Sequence, residues 1–177
     1  AQFPATKVIF IAGDANQIDQ ATAAVARAEA ELGSVDVLLN TTVGSFVPKL
    51  FHEMAIEDIE PMLVQQMLAP LVMCRAVLPG MRARRGGAII NIASDAGKVA
   101  TPGESVIGAA MAGIAMFSRG LAIEAKRNGI RVNTLTPSLI RGTLTYDRVL
   151  ADPFSAKLFG GAVKLASLGV AEPDDLA

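Results

Sequence analysis

An alternation narrows the possible folds more than any other feature of this sequence. Four short apolar runs, Lys7–Ala12, Asp36–Asn40, Ala88–Ala93 and Ile130–Thr136, are separated by long stretches with helical spacing. Continuous β-rich runs of this kind read as strands buried on both faces. Ile18, Ala21, Val25, Ala28 and Leu32 recur at helical spacing and stop at Gly33, as in an amphipathic helix with a glycine after its last turn. Residues 56–85 predict a long helix. It contains Pro61, Pro70 and Pro79, which must kink it or sit near its ends. Residues 104–128 predict a second, stopped by Gly129, and a shorter helical region follows from about Leu144 to Gly160. Strand–helix–strand alternation requires crossover connections. The expectation is therefore one α/β domain over residues 1–177, a doubly wound parallel sheet with helices on both faces.

Composition excludes several functions. Lys and Arg number 16 against 17 Asp and Glu, a net charge of −1, so nothing favours nucleic acid or an anionic membrane surface. Cys74 is the only cysteine and His52 the only histidine, which rules out a disulfide framework and leaves no metal site to expect. The longest charge-free runs, Pro61–Cys74 and Ser105–Ser118, fall short of the roughly 20 apolar residues a membrane span needs. No basic-then-apolar leader is visible at the N-terminus, so a cytoplasmic location is expected. The chain begins with Ala1 and ends on Glu172–Ala177, which reads as the opening of a helix. It is expected to be part of a longer protein, incomplete at both ends, with N-terminal strands missing.

Five blocks in order, Asp36-Val-Leu-Leu-Asn40, Ile89-Ile-Asn-Ile-Ala-Ser94, Leu121-Ala-Ile-Glu124, Gly129-Ile-Arg-Val-Asn133 and Pro137, resemble the short-chain dehydrogenase/reductase family at its spacing. The resemblance covers nearly the whole chain. It implies a Rossmann-type sheet and nicotinamide-dependent alcohol chemistry. That chemistry uses a phenol of lowered pKa as acid or base, a Lys four residues later, a Ser hydroxyl that orients the carbonyl and an Asn that helps seat a relay water. Laid on this sequence, the Ser is Ser94, the Tyr position is Ile107, the Lys position is Met111 and the Asn position is Gln66. Neither Ile nor Met can move a proton. From Ser105 to Ser118 there is no ionisable side chain at all. The only tyrosine, Tyr146, lies beyond the last predicted strand, in the region that would cover a substrate.

The cofactor side is depleted too. No glycine triplet has the spacing of a dinucleotide-binding turn. The turn that flanks the adenine ribose in the family reads Asn40-Thr41-Thr42-Val43, with Gly44 one place late. The turn near the nicotinamide reads Pro137-Ser138, its usual Thr displaced to Thr143. Asp14 matches a position whose carboxylate approaches adenine, but it also reads as a turn residue after a strand. Asp14, Asn40 and Pro137 are thus remnants, and no cofactor binding by this chain is expected.

Other groups read mainly as structure. Asp95 beside Ser94 suggests a turn or helix cap. His52 and Glu53 suggest a solvated pair, and Cys74 a small buried hydrophobe. Arg82, Arg84 and Arg85 end a helix, where cations suit the dipole. The two long helices carry Met62, Met67, Met73, Met81, Met111 and Met116, and Val106–Phe117 is apolar or small all round. A helix covering a sheet needs only one apolar stripe, so the excess predicts a subunit interface through 56–85 and 104–128, in a dimer or tetramer.

These readings combine into one expectation: a non-catalytic subunit supporting an active homologous short-chain dehydrogenase that holds NAD or NADP. In its lost residues the chain resembles the non-catalytic subunit type of hydroxyphenylmethyl-succinyl-CoA dehydrogenase. Ser94-Asp95-Ala96-Gly97 resembles family members acting on acyl-CoA substrates. The alternatives are a reductase acting alone, or altered chemistry using Ser94, Gln66 or Thr41–Thr42.

Overall fold

A computed structural model describes residues 6–42 and 44–177. Three strands, β1 (Val37–Asn40), β2 (Gly87–Ile92) and β3 (Ile130–Leu135), form a parallel sheet in the order β1-β2-β3. Val37 pairs with Ala88 and Ala88 with Arg131. Each crossover carries a helix, as parallel pairing demands. Between β1 and β2 run α2 (Ile59–Leu63), a π-turn (Val64–Leu68) and α3 (Ala69–Arg84). Between β2 and β3 runs α4 (Ser105–Ala125), and α1 (Ile18–Leu32) precedes β1.

The strands alternate. Leu38, Ile89, Ile130 and Val132 enter one core with Val25 of α1, Cys74, Val77 and Met81 of α3, and Leu121 and Ala125 of α4. On the other face Val37 and Leu39 are 62% and 54% exposed, and Arg131 and Asn133 are exposed as well. The described helices that pack on the sheet thus cover one face.

Several boundaries follow local chemistry. Gly129 (φ +71°) ends the α4 segment, and a Cβ there would stand 2.5 Å from Arg85 O, so only glycine closes that turn without strain. The expected helix 144–160 is two helices, α5 (Leu144–Ala151) and α6 (Pro153–Leu165). They are split at Asp152-Pro153, where Asp152 caps α6 by accepting from Ser155 N at 2.8 Å. The C-terminal segment forms a 3-10 turn, Pro173–Asp175, capped by Glu172.

One expectation is corrected. Lys7–Ala12 is not a strand. Its apolar composition suits one, but β1 pairs only with β2 among the described residues, so the run has no ladder partner. Val8 and Phe10 are 83% and 84% exposed. The expected helix 56–85 forms as Ile56–Arg84, with 3-10 spacing in its first turn and π spacing at Val64–Leu68. As whole helices, Ile56–Arg84 and Ser105–Asn128 are long and apolar enough to cross a membrane by length and composition. In this fold both lay a buried side on the core.

Candidate functional site

In parallel α/β sheets ligands bind outside the carboxyl ends of the strands. Two clefts lie there. One, of about 430 Å³, is lined by Gly13, Asp14, Ala15, Asn16, Thr42 and Gln65. The other, of about 270 Å³, lies between the segment after β2 and the start of α4, lined among others by Lys98, Thr101, Glu104 and Gly108.

Ser94 leaves β2 in extended conformation and caps a short 3-10 turn, Asp95–Gly97. Its Oγ accepts from Ala96 N at 3.2 Å and donates to Asp95 Oδ1 at 3.2 Å. Asp95 N donates to Pro137 O at 3.0 Å, tying the loops after β2 and β3 together. Both Ser94 and Pro137 are therefore engaged in holding this end of the sheet. Gly97 lies against α4 so closely that a Cβ would stand 2.6 Å from Ala112 N.

That close approach puts positions 107 and 111 into packed surroundings. Met111 is 6% exposed and shares a cluster with Ala93, Ala110 and Ile114, onto which Ile107 and Met67 pack. Gln66, 5% exposed, lies in the π-turn, and its Nε2 is 2.9 Å from where a Cβ on Gly44 would be. The structure brings Gln66, Ser94, Ile107 and Met111 to the same end of the sheet.

The cofactor remnants fare differently. Asn40 is buried and donates to Asn91 Oδ1 at 2.7 Å, while Asn91 donates to Ser118 Oγ at 2.8 Å. Its side chain belongs to the interior. Asp14 Oδ1 accepts from Asn16 N at 2.9 Å and from Asn16 Nδ2 at 3.1 Å. The backbone hydrogen bond from Asn16 leads the causes that lower its pKa. Asp14 is both a turn residue and part of a cleft wall. Thr41 and Thr42 are exposed, and Val43 lies outside the described residues. Thr143 caps α5, accepting from Tyr146 N at 3.2 Å.

The remaining candidates fall away from the clefts. His52 Nε2 and Glu53 Oε1 are 3.9 Å apart and both exposed. Burial pushes the Cys74 thiol up to about 11, which leaves it inert. Arg84 donates to Val35 O at 2.8 Å and Arg85 to Arg127 O at 3.3 Å, both at the opposite end of the strands. Among the described residues no cluster of His, Cys, Asp or Glu could hold a metal ion.

Three features escaped the sequence reading. Glu104 sits in the second cleft, and burial raises its pKa, with Asp95 adding repulsion. Asn16 reaches from the loop before α1 to Ala69 N, at 3.1 Å. The π-turn itself was hidden, and Pro70 was the available signal: without an N–H it can close neither the α bond to Gln66 O nor the π bond to Gln65 O.

Comparison with known proteins bears on the whole arrangement. The chain is 29% identical to a 2-(R)-hydroxypropyl-CoM dehydrogenase from Xanthobacter autotrophicus, over 82% of this chain and 59% of the relative. It is 32% identical to a 3-oxoacyl-acyl-carrier-protein reductase from Chlamydia muridarum, over 97% of this chain and 67% of the relative. A solved gluconate 5-dehydrogenase from Burkholderia cenocepacia, in complex with NADP and tartrate, superimposes with a TM-score of 0.78 at 25% identity, covering 90% of this chain and 60% of its own. The chain spans about half to two-thirds of the length of the curated relatives it matches. The family model described as short chain dehydrogenase matches residues 1–152, and the chain belongs to that family.

Proposed function

We propose that this chain is a non-catalytic member of the short-chain dehydrogenase family that supports an active homologous subunit. One observation carries the reading: the two positions that should hold a phenol and an ammonium hold Ile107 and Met111, packed in an apolar cluster with Ala93, Ala110 and Ile114. The family's nicotinamide dinucleotide does not fit these residues at its reactive end. A thioether there cannot donate to a ribose hydroxyl, and Ser94 Oγ is already hydrogen-bonded to Asp95 Oδ1 and Ala96 N. We derive no hydride transfer through this chain. The cofactor, NAD or NADP, then belongs to the active partner, and resemblance at Ser94–Gly97 favours an acyl-CoA substrate there. A cytoplasmic location accords with this role.

The proposed partner surface is the outer side of the two long helices. Met116 and Ile123 on α4 are 64% and 65% exposed, and Leu63 and Val64 are 37% and 38% exposed. Apolar side chains gathered on helix faces favour a protein interface. The inner methionines do not contribute to it: Met62 and Met81 are 2% and 0% exposed, in this chain's own core.

Glu104 favours one second reading. A half-buried carboxyl of raised pKa beside Asp95 has the character of a displaced general acid, which would give altered chemistry in the old cleft. Calorimetric titration of the purified chain with NADH and NADPH tests the first reading. No heat of binding is expected, whereas low-micromolar binding would refute it. Turnover by the chain alone that disappears on Glu104→Gln would establish the second.

A further inference from the structure

We infer that Asn16 is a positioning residue that holds the π-turn and, through it, sets the loop after β1. The argument does not rest on the chain being non-catalytic. It begins with the helix ladder. Pro70 supplies no N–H, so the bonding pattern around residues 65–70 is short of a donor just where the ladder changes from π to α spacing. Ala69 is fully buried, and its N–H donates to an acceptor outside the helix, Asn16 Oδ1, at 3.1 Å. Asn16 is itself held, because Asp14 Oδ1 takes both its backbone N–H and its Nδ2. Acceptor and orienting carboxylate thus form a fixed clamp on the end of the π-turn.

The turn's two glutamines carry the effect onward. Gln65 Oε1 accepts from Ser45 N at 3.4 Å and Ser45 Oγ at 3.3 Å. Gln66 Nε2 lies 2.9 Å from where a Cβ on Gly44 would stand, so no Cβ fits there without moving the amide. A π-turn rotates every following side chain relative to an α-helix. Loss of the clamp lets the segment relax toward α spacing, which swings Gln65 and Gln66 away from Gly44 and Ser45. Asn16 and Gln65 also line the larger cleft, so a ligand there that competes for the Asn16 amide would pull on the same linkage.

Hydrogen exchange on the full chain, read in peptides covering 44–50 and 66–72 with β2 as internal control, tests this. Asn16→Ala should raise exchange in 66–72 by roughly tenfold or more, as expected for a buried N–H losing an acceptor, raise it in 44–50 as well, and leave β2 unchanged. The double exchange Asp14→Asn with Asn16→Asp keeps one donor and one acceptor in the clamp and should restore both peptides. A purely local role predicts that only 66–72 responds to Asn16→Ala, and that result overturns the proposal. Failure of the swap to restore protection in a folded chain overturns it as well. If Asn16→Ala does not fold, Gln65→Ala decides. It should free 44–50 while 66–72 stays protected, and an unchanged 44–50 refutes the linkage.

Discussion

Met111→Lys asks whether the family's active-site environment still exists. Met111 is 6% exposed, among Ala93, Ala110, Ile114, Ile107 and Met67, with Gly97 closing over it. Each of these neighbours is apolar or backbone. An ammonium placed there loses its hydration, so its pKa should fall well below the ordinary value near 10.4. A depression of about 3 units corresponds to about 4 kcal/mol at pH 7, a large part of the roughly 5–15 kcal/mol that stabilises a domain. The sign is fixed by linkage. The unfolded chain binds the proton more tightly than the folded one, so stability rises with pH and the deficit shrinks as pH approaches 10. Met111→Leu, which nearly conserves volume, should cost less than about 1.5 kcal/mol. Urea unfolding of the parent and both variants at pH 7 and pH 9.5 measures these quantities. If Met111→Lys matches the parent at pH 7 with no pH dependence, a hydrated or charge-bearing pocket survives at position 111. The argument that the relay site has become core would then be wrong.

Three further outcomes follow from the same geometry. Met116→Lys should keep the fold and lower the sedimenting mass of the assembly, whereas Ile114→Asp, at a residue 1% exposed, should unfold the chain; an unchanged mass for a folded Met116→Lys removes the proposed interface. Cys74, buried and with its thiol pushed up to about 11, should resist alkylation at pH 8 until the chain unfolds, and labelling of the native chain at the rate of a free thiol contradicts that burial. Burial raises the Glu104 pKa above its unfolded value, so its contribution is present at acidic pH and is lost as pH rises through the folded pKa. Glu104→Gln should therefore unfold at higher urea than the parent near pH 7 with little difference near pH 4, and a difference that grows on acidification would reverse the assignment.

The sequence disclosed the elements whose signal is local. Val37–Asn40, Gly87–Ile92 and Ile130–Leu135 lie within a residue or two of the apolar runs that announced them, because short β-rich runs between helical stretches suit paired strands, even though one face of these strands is exposed at Val37, Leu39, Arg131 and Asn133. Lys7–Ala12 has the same composition but no strand, since pairing depends on a neighbour and composition cannot supply one. That Ile107 and Met111 cannot move a proton was legible, because residue type alone decides it. Their packing was not. It depends on Gly97 approaching α4, a contact between segments that periodicity does not encode. Asn16 was hidden for a related reason: its partner, Ala69 N, is 53 residues away, and the need for that partner arises from Pro70.

The polar groups that remain inside indicate what has been kept. Asn40, Asn91 and Ser118 are 4%, 0% and 3% exposed, and Ser118 completes their chain by donating to Ile114 O at 2.8 Å. Buried amides persist when their partners satisfy them, and these three join β1, β2 and α4. A phenol and an ammonium on α4 would have no such partners in the cluster around Met111. They would require a water-filled or ligand-filled space, which costs stability unless function demands it. Ile107 and Met111 remove that demand, and they raise the apolar content of the helix that also carries the exposed Met116 and Ile123. The same helix thus gains core on its inner side and keeps an apolar outer side. Packing at positions 107 and 111 and an apolar outward surface are together what the proposed supporting role requires of this helix.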